Sequence, residues 1–158
     1  MKLWEKDFSI DKLVEQFTIG QDNVLDLQLA KYDVIGTMAH IKMLQKIDLL
    51  TTEELETLTL ELQNILNDIE SGHFTIDKNV EDIHSQVEFL LIEKLGDIGR
   101  GGNAGRSRND QVLVDLRLYF RAELKEIVDL VAVLLDTLHA QSETNKHVLI
   151  THPRHDQI

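Results

Sequence analysis

An all-α fold follows from three features of this 158-residue sequence. There is a single proline, apolar residues recur every three or four positions over long stretches, and glycines gather between those stretches. A first helix is expected from about Asp22 to Ile47, on the stripe Val24, Leu25, Leu29, Val34, Ile35, Met38, Ile41 and Leu44. Gly36 inside it costs about 1 kcal/mol relative to alanine, so a close helix–helix contact is the expected compensation. A second helix, Thr52 to Glu70, is capped by Thr51 or Thr52, has Glu53 and Glu54 at its positive end, and is followed by Gly72. Its stripe is Leu55, Leu58, Leu62, Ile65, Leu66 and Ile69. A third helix is expected from about Val80 to Leu95, and Gly96 to Gly105, with five glycines in ten residues, reads as a loop. A fourth starts near Ser107 and continues to about Asn145, a length of roughly 55 Å. Its stripe runs Leu113, Leu116, Phe120, Leu124, Ile127, Val131, Leu134, Leu138. Nine of the twelve residues from Ile127 to Leu138 are apolar, so that half must be enclosed on most sides, by helices of other sequence or other subunits.

The formal charge of −12 is spread along helical faces, with no basic stripe to attract nucleic acid. The absence of cysteine excludes disulfides and thiolate metal sites. The opening residues Met1 to Asp7 hold no apolar core of signal-peptide length. The longest apolar run, Leu130 to Leu135, is far too short to span a bilayer. A cytoplasmic protein is expected, with neither membrane nor nucleic acid as a partner.

The densest chemistry lies at Gly105-Arg106-Ser107-Arg108-Asn109-Asp110-Gln111, at the start of the fourth helix. A helix N-terminus already favours anions through its free N–H groups and dipole, and arginine adds planar, bidentate recognition of carboxylates. Ser107 with Asp110 three residues on also reads as an approximate capping box. A cap does not need Arg106, Arg108, Asn109 and Gln111 around it, which favours a site for a small polycarboxylate. His84 taken alone reads as a surface histidine in the first turn of a helix.

Several segments, in order along the chain, resemble the argininosuccinate lyase family of the fumarase/aspartase superfamily. They are Lys2-Leu3-Trp4, the Asp33, Gly36, Ala39-His40 and Met43-Leu44 pattern, Glu81-Asp82-Ile83-His84-Ser85, and above all Gly105-Arg106-Ser107-Arg108-Asn109-Asp110-Gln111-Val112. The resemblance implies an N-terminal helical domain over residues 1–106, leading at 107–158 into the first long helix of a central bundle. It implies β-elimination of argininosuccinate to arginine and fumarate by a homotetramer whose active sites draw on three subunits, with no cofactor and no metal. Arg108 and Asn109 would bind the succinate carboxylates, with Ser107 beside them and His84 near the same site. Thr151-His152 resembles the family's Thr-His pair, which makes His152 a candidate acid/base and Thr151 a candidate substrate contact. The sequence departs from the family where Asn103-Ala104 replaces a histidine and a hydroxyl residue. It departs again where Pro153-Arg154 replaces Leu-Gln and the Pro-Gly-Tyr before the Thr-His pair is absent, so the tail reads equally as a retained pair or a rearranged segment. The family's catalytic serine loop lies beyond this length, so an N-terminal portion, inactive alone, is expected. The alternative is a non-catalytic structural or interaction protein on the same scaffold.

Overall fold

A computed structural model of the protein describes Phe17, residues 22–77 and residues 80–149; Lys2-Leu3-Trp4, Thr151 and His152 lie outside these. Among the described residues the regular elements are helices throughout. They are α1 (Asp22–Leu25), a 3-10 turn (Asp26–Gln28), α2 (Ala30–Lys46), α3 (Thr52–Glu70), α4 (Ile83–Leu95), α5 (Asp97–Gly101) and α6 (Arg108–Asn145). The all-α expectation holds. Contacts gather the chain into two units, Met1–Tyr119 and Phe120–Ile158.

In the first unit three helices bury one face each. Ala30, Val34, Ile41 and Leu44 of α2 meet Leu58, Leu62 and Ile65 of α3 and Ile83, Val87 and Leu91 of α4. The α3 stripe is the expected one, with Leu55, Leu66 and Ile69 packed at its edge. A full capping box starts this helix: the Glu54 N–H donates to Thr51 Oγ1 at 3.2 Å, and the Thr51 N–H donates to the Glu54 carboxylate at 2.8 Å. Thr51→Ala is therefore expected to lower stability by about 1 kcal/mol, and Thr51→Ser by much less. Urea unfolding checks this; equal midpoints for Thr51→Ala and the parent would mean that packing alone sets where α3 begins.

The first helix differs from expectation. Instead of running unbroken from Asp22, it tightens into the 3-10 turn, closed by Leu29 N–H donating to the Asp26 carbonyl at 2.8 Å. The Asp26 carboxylate accepts from the Ile83 N–H at 3.3 Å, tying this turn to the start of α4. Val24 and Leu25 consequently stay exposed, outside the core they were expected to join. The third helix starts at Ile83 rather than Val80, because Asp82 adopts an extended conformation and its carboxylate accepts from the Ser85 N–H at 2.8 Å. The glycine-rich stretch contains α5, which the count of glycines concealed. Gly99 of α5 lies so close to α4 that a Cβ there would sit 2.4 Å from the Leu91 carbonyl oxygen.

Within this unit, the buried positions of α6 are Gln111 and Asp115, both polar, while Leu113 of the expected stripe is exposed. The second unit contains the rest of α6. There Ile127, Val128, Leu130, Val131, Val133, Leu134, Leu135 and Leu138 are all exposed. Among the described residues no helix is long and apolar enough to cross a membrane.

Candidate active site

On α2 the buried positions are Ala30, Asp33, Val34, Gly36, Thr37, Ile41 and Leu44, so a carboxylate occupies a place in the spacing of the core. Asp33 is fully buried. Its Oδ1 accepts from His84 Nδ1–H at 2.8 Å and from Gln111 Nε2–H at 2.6 Å. One oxygen thereby joins α2, α4 and α6. Asp115, also fully buried and one turn after Gln111 on α6, approaches His84 Nδ1 to 3.6 Å. The donor atoms of Asp33, His84 and Asp115 lie within 4.8 Å of one another. They are near enough to share a cation, yet Asp33 Oδ1 already has two hydrogen-bond donors.

Gly36 allows this convergence. A Cβ at that position would meet an Arg106 guanidinium nitrogen at 3.2 Å, and Asp115 Oδ1 and Val114 at 3.4 Å. The expected close approach at Gly36 is present. Arg106 donates to Thr37 Oγ1 at 3.0 Å, which places its charge beside the two aspartates. Burial, followed by the neighbouring Asp33 charge, pushes the Asp115 carboxyl up to about 7, against the opposing pull of His84 and Arg106. For His84, burial lowers the pKa, but the hydrogen bond to Asp33 and the charges of Asp33, Asp82 and Asp115 outweigh it and leave the value raised.

The second constellation lies where α4 and α6 begin. Asp82 uses one carboxylate oxygen to cap α4 and offers the other to Arg108, whose guanidinium also donates to Ser85 Oγ at 3.1 Å. Ser107 Oγ accepts from the Asn109 N–H at 3.3 Å and so caps α6. Arg108 is the first residue of α6, and about a third of its side chain remains exposed. The Glu-Asp-Ile-His-Ser and arginine motifs, far apart in sequence, therefore meet through Arg108, Asp82 and Ser85. His84 belongs to the inside of this junction; it is buried, not the surface residue that its position in a first turn suggests.

The loop before the arginine block is held by its backbone. His40 Nε2–H donates to the Ala104 carbonyl at 3.0 Å, and Gly105 takes a φ of +68° as the chain enters the block. A hollow of about 530 Å³ is lined by Gly36, Ala39, His40, Gly105, Arg106 and Asp110 among others. Arg108, Asn109 and His84 do not line it. Asp33, Asp82 and Asp115 were not singled out as site residues from the sequence, and Gln111, read with the arginine block, turns inward to Asp33. The available signal was a polar residue at a buried helical spacing: Asp33 within the α2 stripe, and Gln111 and Asp115 one turn apart.

A family model described as a lyase matches residues 5–157. The chain belongs to this lyase family. The lyase chain is 53% identical over 157 residues to an argininosuccinate lyase of Phocaeicola vulgatus and 52% identical over 157 residues to one of Bacteroides thetaiotaomicron. In both cases 99% of this chain and 35% of the relative are covered. An argininosuccinate lyase of Thermotoga neapolitana is 44% identical over 137 residues, covering 87% of this chain and 34% of the relative. The lyase chain thus spans about a third of the length of these curated relatives.

Proposed function

We propose that this chain is the N-terminal portion of an argininosuccinate lyase, which cleaves argininosuccinate to arginine and fumarate by β-elimination. The observation that carries the reading is the meeting of two helix starts: Arg108 at the head of α6 reaches Asp82, the cap of α4, and Ser85 in its first turn. The positive dipole ends of two helices come together there with a guanidinium, and the Asp82 carboxylate is already held by Arg108 and the Ser85 N–H. Such a place suits the dianionic intermediate formed when a proton is removed next to a carboxylate. The named relatives, about half identical, supply the substrate class.

In this reading Arg108 and Asn109 bind the succinate carboxylates, with Ser107 and Thr151 as further contacts. His152 serves as acid/base, and His84 supports the site from inside. Residues 1–106 form the N-terminal domain and 107–158 open the central bundle. The exposed apolar side chains from Phe120 to Leu138 support a homotetramer, since a solvated surface of that kind is prone to association. The reading places the enzyme in the cytoplasm, in arginine biosynthesis, without cofactor or metal.

The test is a protein that carries this chain at the full length of its relatives. Argininosuccinate should yield fumarate, followed by its absorbance, and arginine in equal amounts, and sedimentation at micromolar concentration should show a tetramer. Turnover only of another succinyl adduct would replace the substrate. A folded protein that neither binds succinate nor turns over argininosuccinate would leave a non-catalytic scaffold.

A further inference from the structure

We propose that Asp115 is carried as the neutral acid beside Asp33 and His84, and that its proton allows the Asp33 hub to position the first turn of α6. Two carboxyl groups lie in full burial with their oxygens within reach of the same histidine. Both oxygens of Asp115 and Oδ2 of Asp33 have no hydrogen-bond partner among the described residues. Two ionised carboxylates with three such orphan oxygens would meet desolvation and mutual repulsion together; a proton on one of them relieves both.

The groups facing Asp115 are few. They are Asp33 from α2, His84 from α4 and Arg106 from the turn before α6; Thr37 meets Arg106, the Asp82 charge acts on His84, and Gln111 donates to Asp33. With Asp115 neutral, Asp33 is relieved of the neighbouring Asp115 charge, and the His84 and Gln111 donors both point to it. Ionised, Asp115 repels Asp33 and competes for the His84 Nδ1–H, which already stands 3.6 Å from it. Gln111 lies three residues after Arg108, so a loosened Gln111–Asp33 bond loosens the turn that presents Ser107, Arg108 and Asn109. The use of that turn for substrate rests on the proposed lyase function; the protonated cluster does not.

Linkage fixes the sign. The folded chain keeps the Asp115 proton to about pH 7, whereas the unfolded chain releases it at the ordinary carboxylate value of 3.8. Stability therefore falls as pH rises between those values, and the raised His84 adds a further fall as pH passes through its folded value.

The experiment is a carboxyl-carbon and side-chain amide NMR titration of the 158-residue chain from about pH 5 to about pH 9. The expected midpoint for the Asp115 carboxyl carbon is about 7, and the Gln111 side-chain amide and the 107–110 backbone amides should shift with the same midpoint. Asp115→Asn, an uncharged mimic of the acid, should flatten the Gln111 and 107–110 shifts and raise the urea midpoint above pH 7. Asp33→Asn should remove the downfield Gln111 amide signal. An Asp115 midpoint in the ordinary carboxylate range, or amides that ignore its titration, would overturn the proposal even if no variant folded. So would magnesium, manganese or zinc chloride that at equimolar amounts displaced the proton and raised the melting temperature, since the cluster would then be a cation site. Failure of succinate to bind while the titration behaves as expected would remove the lyase reading and leave the protonated hub in place.

Discussion

Arg108→Ala in the full-length protein is expected to lower kcat/KM by roughly 30- to 1,000-fold, equivalent to about 2–4 kcal/mol of lost transition-state binding. The side chain is the charged donor at the meeting of α4 and α6, and it donates to both Asp82 and Ser85. Under the proposed function its removal takes a bidentate partner from a substrate carboxylate, and it leaves Asp82 without its cation. Arg108→Lys should rescue only part of the loss, because a point charge does not reproduce the planar fork. Asp82→Asn separates the two consequences: asparagine still caps α4, so the helix start survives while the ion pair is lost. Steady-state kinetics by fumarate absorbance, with circular dichroism to confirm folding, decide the matter. A well-folded Arg108→Ala enzyme with unchanged kcat/KM would reduce the arginine block to a helix cap.

Gly99→Ala should be the most damaging small substitution in the first unit. The new methyl would lie 2.4 Å from the Leu91 carbonyl oxygen, 2.5 Å from its carbon and 2.7 Å from the Ile92 nitrogen. These are backbone atoms in the last turns of α4, which cannot rotate away as a side chain can. Helix α5 must therefore lift from α4, at a cost of about 3 kcal/mol, a large share of the roughly 5–15 kcal/mol that stabilises a domain. Gly101→Ala in the same helix is the control. Its nearest neighbour would be Leu50 Cδ2 at 3.5 Å, an ordinary contact, so the better helix propensity of alanine should leave stability unchanged or slightly raised. Urea unfolding of both variants tests the pair; indistinguishable midpoints would show that α5 is free to move.

The apolar periods of α3 and of α2 beyond Ala30 announced the core, because burying a stripe is what such a period is for. Gly36 announced a close approach for a similar reason, since a costly residue mid-helix needs a return. The sequence could not reveal the interruption at Leu29, which depends on a carboxylate reaching across to the Ile83 N–H. Nor could it show which polar residues turn inward. Arg108 and Ser107 stood out because their types are dense and unusual together. Asp33 and Asp115 did not, since an aspartate on a helix is ordinarily solvated, and only the positions of neighbouring helices make these two interior. His84 was misleading for the same reason: its place in a first turn speaks for solvent, whereas its ring points to Asp33.

The hydrogen bonds that Asp33 receives also bear on the order in which the chain assembles. Its partners stand 51 and 78 residues away along the sequence, whereas α2 and α3 are joined by a short connection. Closing the longer loops costs more chain entropy and yields nothing until both ends arrive, so the α2–α3 pair gains its contacts first. The polar junction forms last, on a surface already built to receive it. Mutations at Asp33, His84 or Gln111 should then act mainly on the unfolding rate and leave the folding rate nearly untouched. The residues that give the candidate site its shape would serve as the clasp on a fold whose apolar part has already closed.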